Sequence, residues 1–195
     1  MHPKTHRLTP TRLYFETMLR SFSSLILLAS AVVTLSAGGC KRSRPNAETT
    51  IEEGPQLQTM VQVGDPKASA QLVKGWHDVE QGSWRWTMGK FSVMLSPPPR
   101  AAERGANLVL RLVVPEPVAQ KLAPIKLSAS VDGVALPEET ITKSGEAVYS
   151  REVPARALAK GVVTVDFSLD KSLPPSDADR RELGVVVTTV GFEAR

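Results

Sequence analysis

The feature that most constrains this chain is an alternation of apolar and polar residues with a period of two, repeated in separate runs after residue 66. Ile125, Leu127, Ala129 and Val131 alternate with Lys126, Ser128, Ser130 and Asp132. Val163, Val165, Phe167 and Leu169 alternate with Thr164, Asp166, Ser168 and Asp170. Phe91, Val93 and Leu95 alternate with Ser92 and Met94, and Leu108, Leu110, Leu112 and Val114 with Val109, Arg111 and Val113. Successive side chains of a strand point to opposite faces, so each run puts one face on a core and the other in water, as antiparallel sheets do. Leu183 to Phe192 is nearly continuous in Val and Thr, the pattern of a strand buried on both sides.

The breaks between runs agree. Asp132-Gly133 is a two-residue hairpin signal, because both central positions of such a turn need positive φ. Pro97-Pro98-Pro99, Ser144-Gly145 and Pro174-Pro175 end other strands, and only Pro154 to Lys160 reads as a helical turn. Strand–helix alternation is absent, which disfavours a Rossmann or barrel enzyme scaffold. The expected fold is all-β: an antiparallel β-sandwich, jelly-roll or immunoglobulin-like, of about eight or nine short strands over residues 66–195.

What precedes the sandwich is of another kind. From Met18 the chain carries Arg20, an uncharged apolar run from Leu25 to Leu35, then Ser36-Ala37-Gly38-Gly39-Cys40. A short basic region, a short apolar stretch and small residues make a signal peptide, and the run is too short for a spanning helix of about 20 apolar residues. Ala37-Gly38-Gly39-Cys40 resembles the lipobox of bacterial lipoproteins; it departs at Ala37, where leucine is usual. The resemblance implies that residues 1–39 are removed and that Cys40 is lipidated, its acyl chains anchoring the protein to a membrane at about 0.8 kcal/mol per buried methylene. Met18 is a candidate true start. Lys41, where enterobacterial retention would have aspartate, points to the outer membrane, facing the periplasm or the cell surface. Residues 40–65 are polar and short of large apolar side chains, as expected of a flexible linker.

The net charge of +4 is concentrated in the leader: residues 1–40 hold Lys4, Arg7, Arg12 and Arg20 against Glu16, leaving 20 basic and 19 acidic side chains beyond. Gripping a phosphate backbone takes clustered Lys and Arg, so nucleic acid is set aside as a partner. Cys40 is the only cysteine, which excludes an internal disulfide and a thiolate metal cage. His77 is the only histidine beyond the leader, and neither a phosphate loop nor a nucleophile elbow is present. No enzyme, cofactor or metal is expected.

Two stretches stand out. All three tryptophans fall in Gly75-Trp76-His77-Asp78-Val79-Glu80 and Ser83-Trp84-Arg85-Trp86-Thr87. On a strand Trp84 and Trp86 share a face and Arg85 takes the other. They suit either an aromatic platform for a sugar, with His77, Asp78 and Arg85 supplying hydrogen bonds, or bulk for the core, the reading preferred for Trp84 and Trp86. Asp177, Asp179, Arg180 and Arg181 lie in a charged loop, in which Asp177 and Asp179 suit calcium or, preferred, the loop is a solvated turn with local salt bridges. In order and spacing, Gly75 to Glu80, Trp84 to Thr87 and Asp179 to Val187 resemble a β-sandwich domain of bacterial surface-polysaccharide systems, often fused to glycosyltransferases or methyltransferases. The resemblance spans residues 72–193 and implies a jelly-roll-like fold with a non-catalytic accessory role. Its pattern matches at Trp84, Arg85, Trp86, Asp179 and Arg180. Residues 1–195 hold no transferase domain, so sugar transfer does not carry over. The expectation is a lipid-anchored envelope protein that binds an envelope glycan or glycoconjugate; the alternative is a protein-interaction module.

Overall fold

The computed structural model describes residues 56–195. The expected signal peptide (1–39), Cys40 and most of the expected linker lie outside the described residues. Ten strands make the domain: β1 (Met60–Gln62), β2 (Leu72–Glu80), β3 (Trp84–Leu95), β4 (Ala106–Val114), β5 (Ile125–Val131), β6 (Val134–Ala135), β7 (Glu139–Ile141), β8 (Gly145–Val153), β9 (Val163–Leu169) and β10 (Val186–Ala194). They form one sheet in the order β6-β5-β9-β3-β10-β4-β8, with β7 on β5, β2 on β3 and β1 on β10. All pairings between these strands are antiparallel, as the alternation requires.

The sheet curls on itself. In a flat sheet β8 and β9, four places apart, would be about 19 Å from each other. Yet the ring of Tyr149 on β8 meets Phe167 on β9 edge-on at 6.3 Å. Strand β3 makes the bend possible, because it has two partners along one edge. Lys90–Leu95 pair with β9, whereas Arg85 and Trp86 pair with Val187 and Val186 of β10. The two ends of the sheet then meet at a seam held by side chains: Tyr149 Oη and Arg151 Nε donate to Pro137 O at 3.0 Å, and Arg151 pairs with Glu139. This is the all-β sandwich architecture expected from the alternation.

The core fills the space between the two layers. The apolar members of each run, among them Phe91, Leu108, Leu110, Ile125, Leu127, Val163 and Val165, are all buried. Phe167 stacks on Phe91 with ring centroids 4.9 Å apart. Strand β10 lies between β4 and β3, and Val187, Val190 and Phe192 are buried, so the last run is central as expected. The Asp132-Gly133 turn joins β5 and β6 with φ of 45° and 82°, the positive values a two-residue hairpin demands.

Three features depart from the sequence reading. The folded domain starts before residue 66: β1 pairs with β10, and Val61 and Val63 are fully buried. Two valines around one glutamine are too short a run to register as a period. Besides the single helical turn expected at 154–160, seen as a 3₁₀ turn over Ala155–Leu158, there are a 3₁₀ turn at Pro66–Ala68 and two short helices, α1 (Ala101–Arg104) and α2 (Glu116–Leu122). Helices α1 and α2 follow prolines and are too short for a 3.6-residue period to show; Lys171 Nζ donates to the carbonyls of Leu122, at the end of α2, and Pro124. Ten strands, not eight or nine, arise because β1, β6 and β7 span only two or three residues each.

Candidate functional site

The tryptophan-rich end is mostly committed to holding the fold together. Trp76 is half-buried: its Nε1 donates to Ser92 O at 2.8 Å and its ring meets Phe91 edge-on at 5.1 Å. His77 Nε2 lies 2.6 Å from Glu182 O, which makes Nε2 the protonated nitrogen, since a carbonyl only accepts. Arg85 ties three segments together, donating to Val63 O at 2.8 Å, His77 O at 2.9 Å and Ser69 Oγ at 3.3 Å. Trp86 is half-buried against the core, the preferred reading. Trp84 is half-buried but lies outside that cluster, opposite Glu80 in the register. Asp78 is exposed, with no side-chain partner among the described residues.

The charged loop forms local salt bridges, as preferred. Asp177 and Arg180 pair at 3.3 Å on the open surface, where such a pair contributes little. The anchored arginine is Arg181, not the Arg180 singled out by the motif. Arg181 donates to Glu80 at 2.7 Å and to both oxygens of Asp179. Hydrogen bonds from its side chain and backbone N–H hold the Asp179 carboxyl down at about 2. With both oxygens engaged, Asp179 is not disposed to ligate calcium. Glu182 accepts from Gly89 N and Ser172 Oγ, and the hydroxyl lowers its pKa. Among the eight residues proposed from sequence, Asp78, Trp84 and Trp86 have no side-chain hydrogen bond among the described residues, and Arg180 pairs only with Asp177.

A concave site does exist, on the outer face of the layer formed by β2, β3, β9 and β5. Residues paired across strands share a face. One row runs Lys90, Ser168, Ser128; the next runs Lys74, Ser92, Asp166, Ser130. The serines are short, and the flanks are raised by Lys74 and Lys90 on one side and by the β5–β6 hairpin with Ala135 and Leu136 on the other. The result is an open trough of about 440 Å³. Beneath it Phe167 and Ala129 are buried. Gly75, at φ +74°, supports the Lys74 side: a Cβ there would stand 2.0 Å from Lys90 O, so only glycine lets β2 approach β3 so closely.

The trough is hydrogen-bonding and charged. Ser128 Oγ donates to Ser168 O at 3.3 Å, and the hydroxyls of Ser130 and Ser168 have no partner among the described residues. Lys74 Nζ reaches Asp166 at 3.5 Å. The Lys90 ammonium is exposed, with no partner among the described residues. The sequence carries one trace of this site, which acquires meaning only through the strand register. Solvent-facing strand positions commonly carry long side chains, whereas Ser128, Ser130, Asp166 and Ser168 are all short and lie on neighbouring strands.

An all-β sandwich with an open polar trough on one sheet face defines the class of domain. No protein-family profile matches the chain, and no curated protein sequence does. Among solved structures the chain is similar to the CBM51-2 and INT domains of Clostridium perfringens ZmpB (11% identity, 70% of this chain, 28% of that chain, TM-score 0.35). It is similar to the same domains with CBM51-2 in complex with GlcNAc (11% identity, 71% and 28% of the two chains, TM-score 0.35). A CBM4 structure matches at 11% identity over 70% of this chain and 85% of that chain, with a TM-score of 0.31. The chain thus spans under a third of the ZmpB chains. Likeness at these scores assigns no ligand to the trough.

Proposed function

We propose that this domain is a non-catalytic glycan-binding module, held at the membrane of a bacterial envelope through lipid on Cys40. The trough carries the reading. Sugars present hydroxyls at close spacing around a ring, and a floor of serine hydroxyls at strand spacing, with charged groups at its sides, is suited to meet them. The hydroxyls stand on paired strands, so they are positioned before any ligand arrives. Asp166 is the only carboxylate lining the trough, so paired-carboxylate hydrolysis of a glycosidic bond has no second group there. The reading stands on this geometry and not on the distant carbohydrate-binding modules.

Titration of the purified full chain with glycans of the host envelope tests it. Ser130→Leu, which fills the trough from an outward-facing position, is expected to abolish binding while melting is unchanged. Trp84→Ala is expected to leave binding intact. Loss with Trp84→Ala alone would move the site to the tryptophan-rich end, and no binding of any glycan by folded protein would overturn the reading. The anchor has its own test: Cys40→Ala should release the protein from membranes and remove the acyl mass, and an unchanged acylated species would refute it.

One observation favours a protein-interaction reading. Strand β8 is nine residues long and is paired only to β4, and Val148 is 52% exposed beside a groove of about 320 Å³ between β7 and β8. An added strand from a partner would dock there. Cross-linking from position 148 to an envelope protein, with glycans inert, would select that reading.

A further inference from the structure

Granting that the trough binds glycan, we infer that its ligand is an acidic sugar, one whose ring carboxylate seats against Lys90.

Three observations on the trough lead to this class. Its lining holds two ammonium groups, Lys74 and Lys90, and one carboxylate, Asp166, a net charge of +1. Lys74 and Asp166 neutralise each other at 3.5 Å. Neighbouring cations are likewise matched, Lys126 on β5 with Glu138 at 3.4 Å and Lys160, in the segment before β9, with Asp132 at 2.8 Å. Lys90 is the cation left over. It sits at the end of a row that continues through Ser168 to Ser128, so an anion on its ammonium places the rest of a sugar ring over hydroxyls.

The desolvation argument points the same way. A neutral sugar covering Lys90 gives the ammonium only hydroxyl oxygens in exchange for its water, whereas a carboxylate adds a full opposite charge to the hydrogen bond. Neutral sugars are commonly held by an exposed aromatic face, and no lining residue supplies one; Phe167, the only aromatic residue at the trough, is 2% exposed and lies beneath it. Recognition must therefore come from charge and hydrogen bonding. A phosphodiester polymer fits less well, since one free cation gives it little grip. The shared chemistry of the expected ligands is a hexuronate: a pyranose with hydroxyls on its ring and one carboxylate.

The test is calorimetric titration of the full chain with trigalacturonate, its methyl ester and neutral galactotriose. Trigalacturonate should bind about tenfold or more tightly than either neutral probe, and its affinity should fall with added NaCl. Lys90→Met should lower trigalacturonate affinity about tenfold and leave the neutral probes unchanged, and Lys90→Arg should retain binding. Lys90 is exposed, so these variants are expected to melt like the parent. Equal binding of acid and ester, or indifference to Lys90→Met while Ser130→Leu still abolishes binding, overturns the acidic class and leaves the glycan reading intact. Failure of all three probes, or binding that survives Ser130→Leu, overturns the trough as the glycan site and the acidic class together.

Discussion

A chain that begins at residue 66, where the alternation becomes visible, should fail to fold stably, whereas one that begins at residue 56 should fold. The segment between them carries Val61 and Val63, both fully buried, each contributing about 1.5–3 kcal/mol by burial. It also satisfies polar groups that remain after the cut. Gln71, 2% exposed, accepts from Gln58 N at 2.8 Å and donates to Gln58 O at 3.0 Å. Arg85 loses Val63 O, and Thr189 loses Gln62 Oε1. Gln71 Nε2 keeps Met94 O at 2.8 Å, but its Oε1 loses its donor, and an amide oxygen left unpaired in a buried site costs about 1–3 kcal/mol more. The sum, about 5 kcal/mol or above, is comparable to the whole stability of many domains. Urea unfolding of the two chains checks this: equal midpoints would mean that β1 is dispensable.

Phe167→Ala should destabilise the domain by about 3–5 kcal/mol, the usual cost of deleting a buried phenyl. The ring is 2% exposed, stacks on Phe91 within its own layer and meets Tyr149 edge-on across the core. Its loss opens a cavity at the point where the two layers touch, and the urea midpoint should fall with little change in slope. A second readout reports on the same spot. Burial pushes the Tyr149 phenol up to about 12; with water admitted to the cavity, its ionisation should move down toward the ordinary value near 10. A midpoint within about 1 kcal/mol of the parent would show that the layers do not depend on this contact. Exchanges on the outer face, such as Ser168→Ala, should stay within about 0.5 kcal/mol.

The fold was legible wherever a run was long enough to show its period. Ile125–Val131 and Val163–Leu169 read as strands because seven residues alternate without interruption, and Asp132-Gly133 forms the hairpin expected of that dipeptide. β1 was illegible because three residues carry no period, and its burial is decided by β10, more than a hundred residues away. The double partnership of β3 was hidden for the same reason, since pairing partners are not written in a strand's own sequence. At the site, residue chemistry drew the eye to Trp76, His77 and Arg85, yet their polar atoms meet backbone carbonyls of this same chain. The serines of the trough drew none, because each is ordinary alone. Only the register, which sets Ser128 opposite Ser168 and Ser130 opposite Asp166, makes them a surface.

Strand β3 also decides how such a surface behaves when something lands on it. Its twelve residues run unbroken from the pairing with β10 to the pairing with β9, so both layers share one backbone. The two layers are thereby coupled through one continuous strand. Under the proposed function, recognition on the outer face would be a docking onto strands already paired. On that proposal little ordering cost is expected on arrival, and discrimination between ligands is expected mainly in how long each one stays.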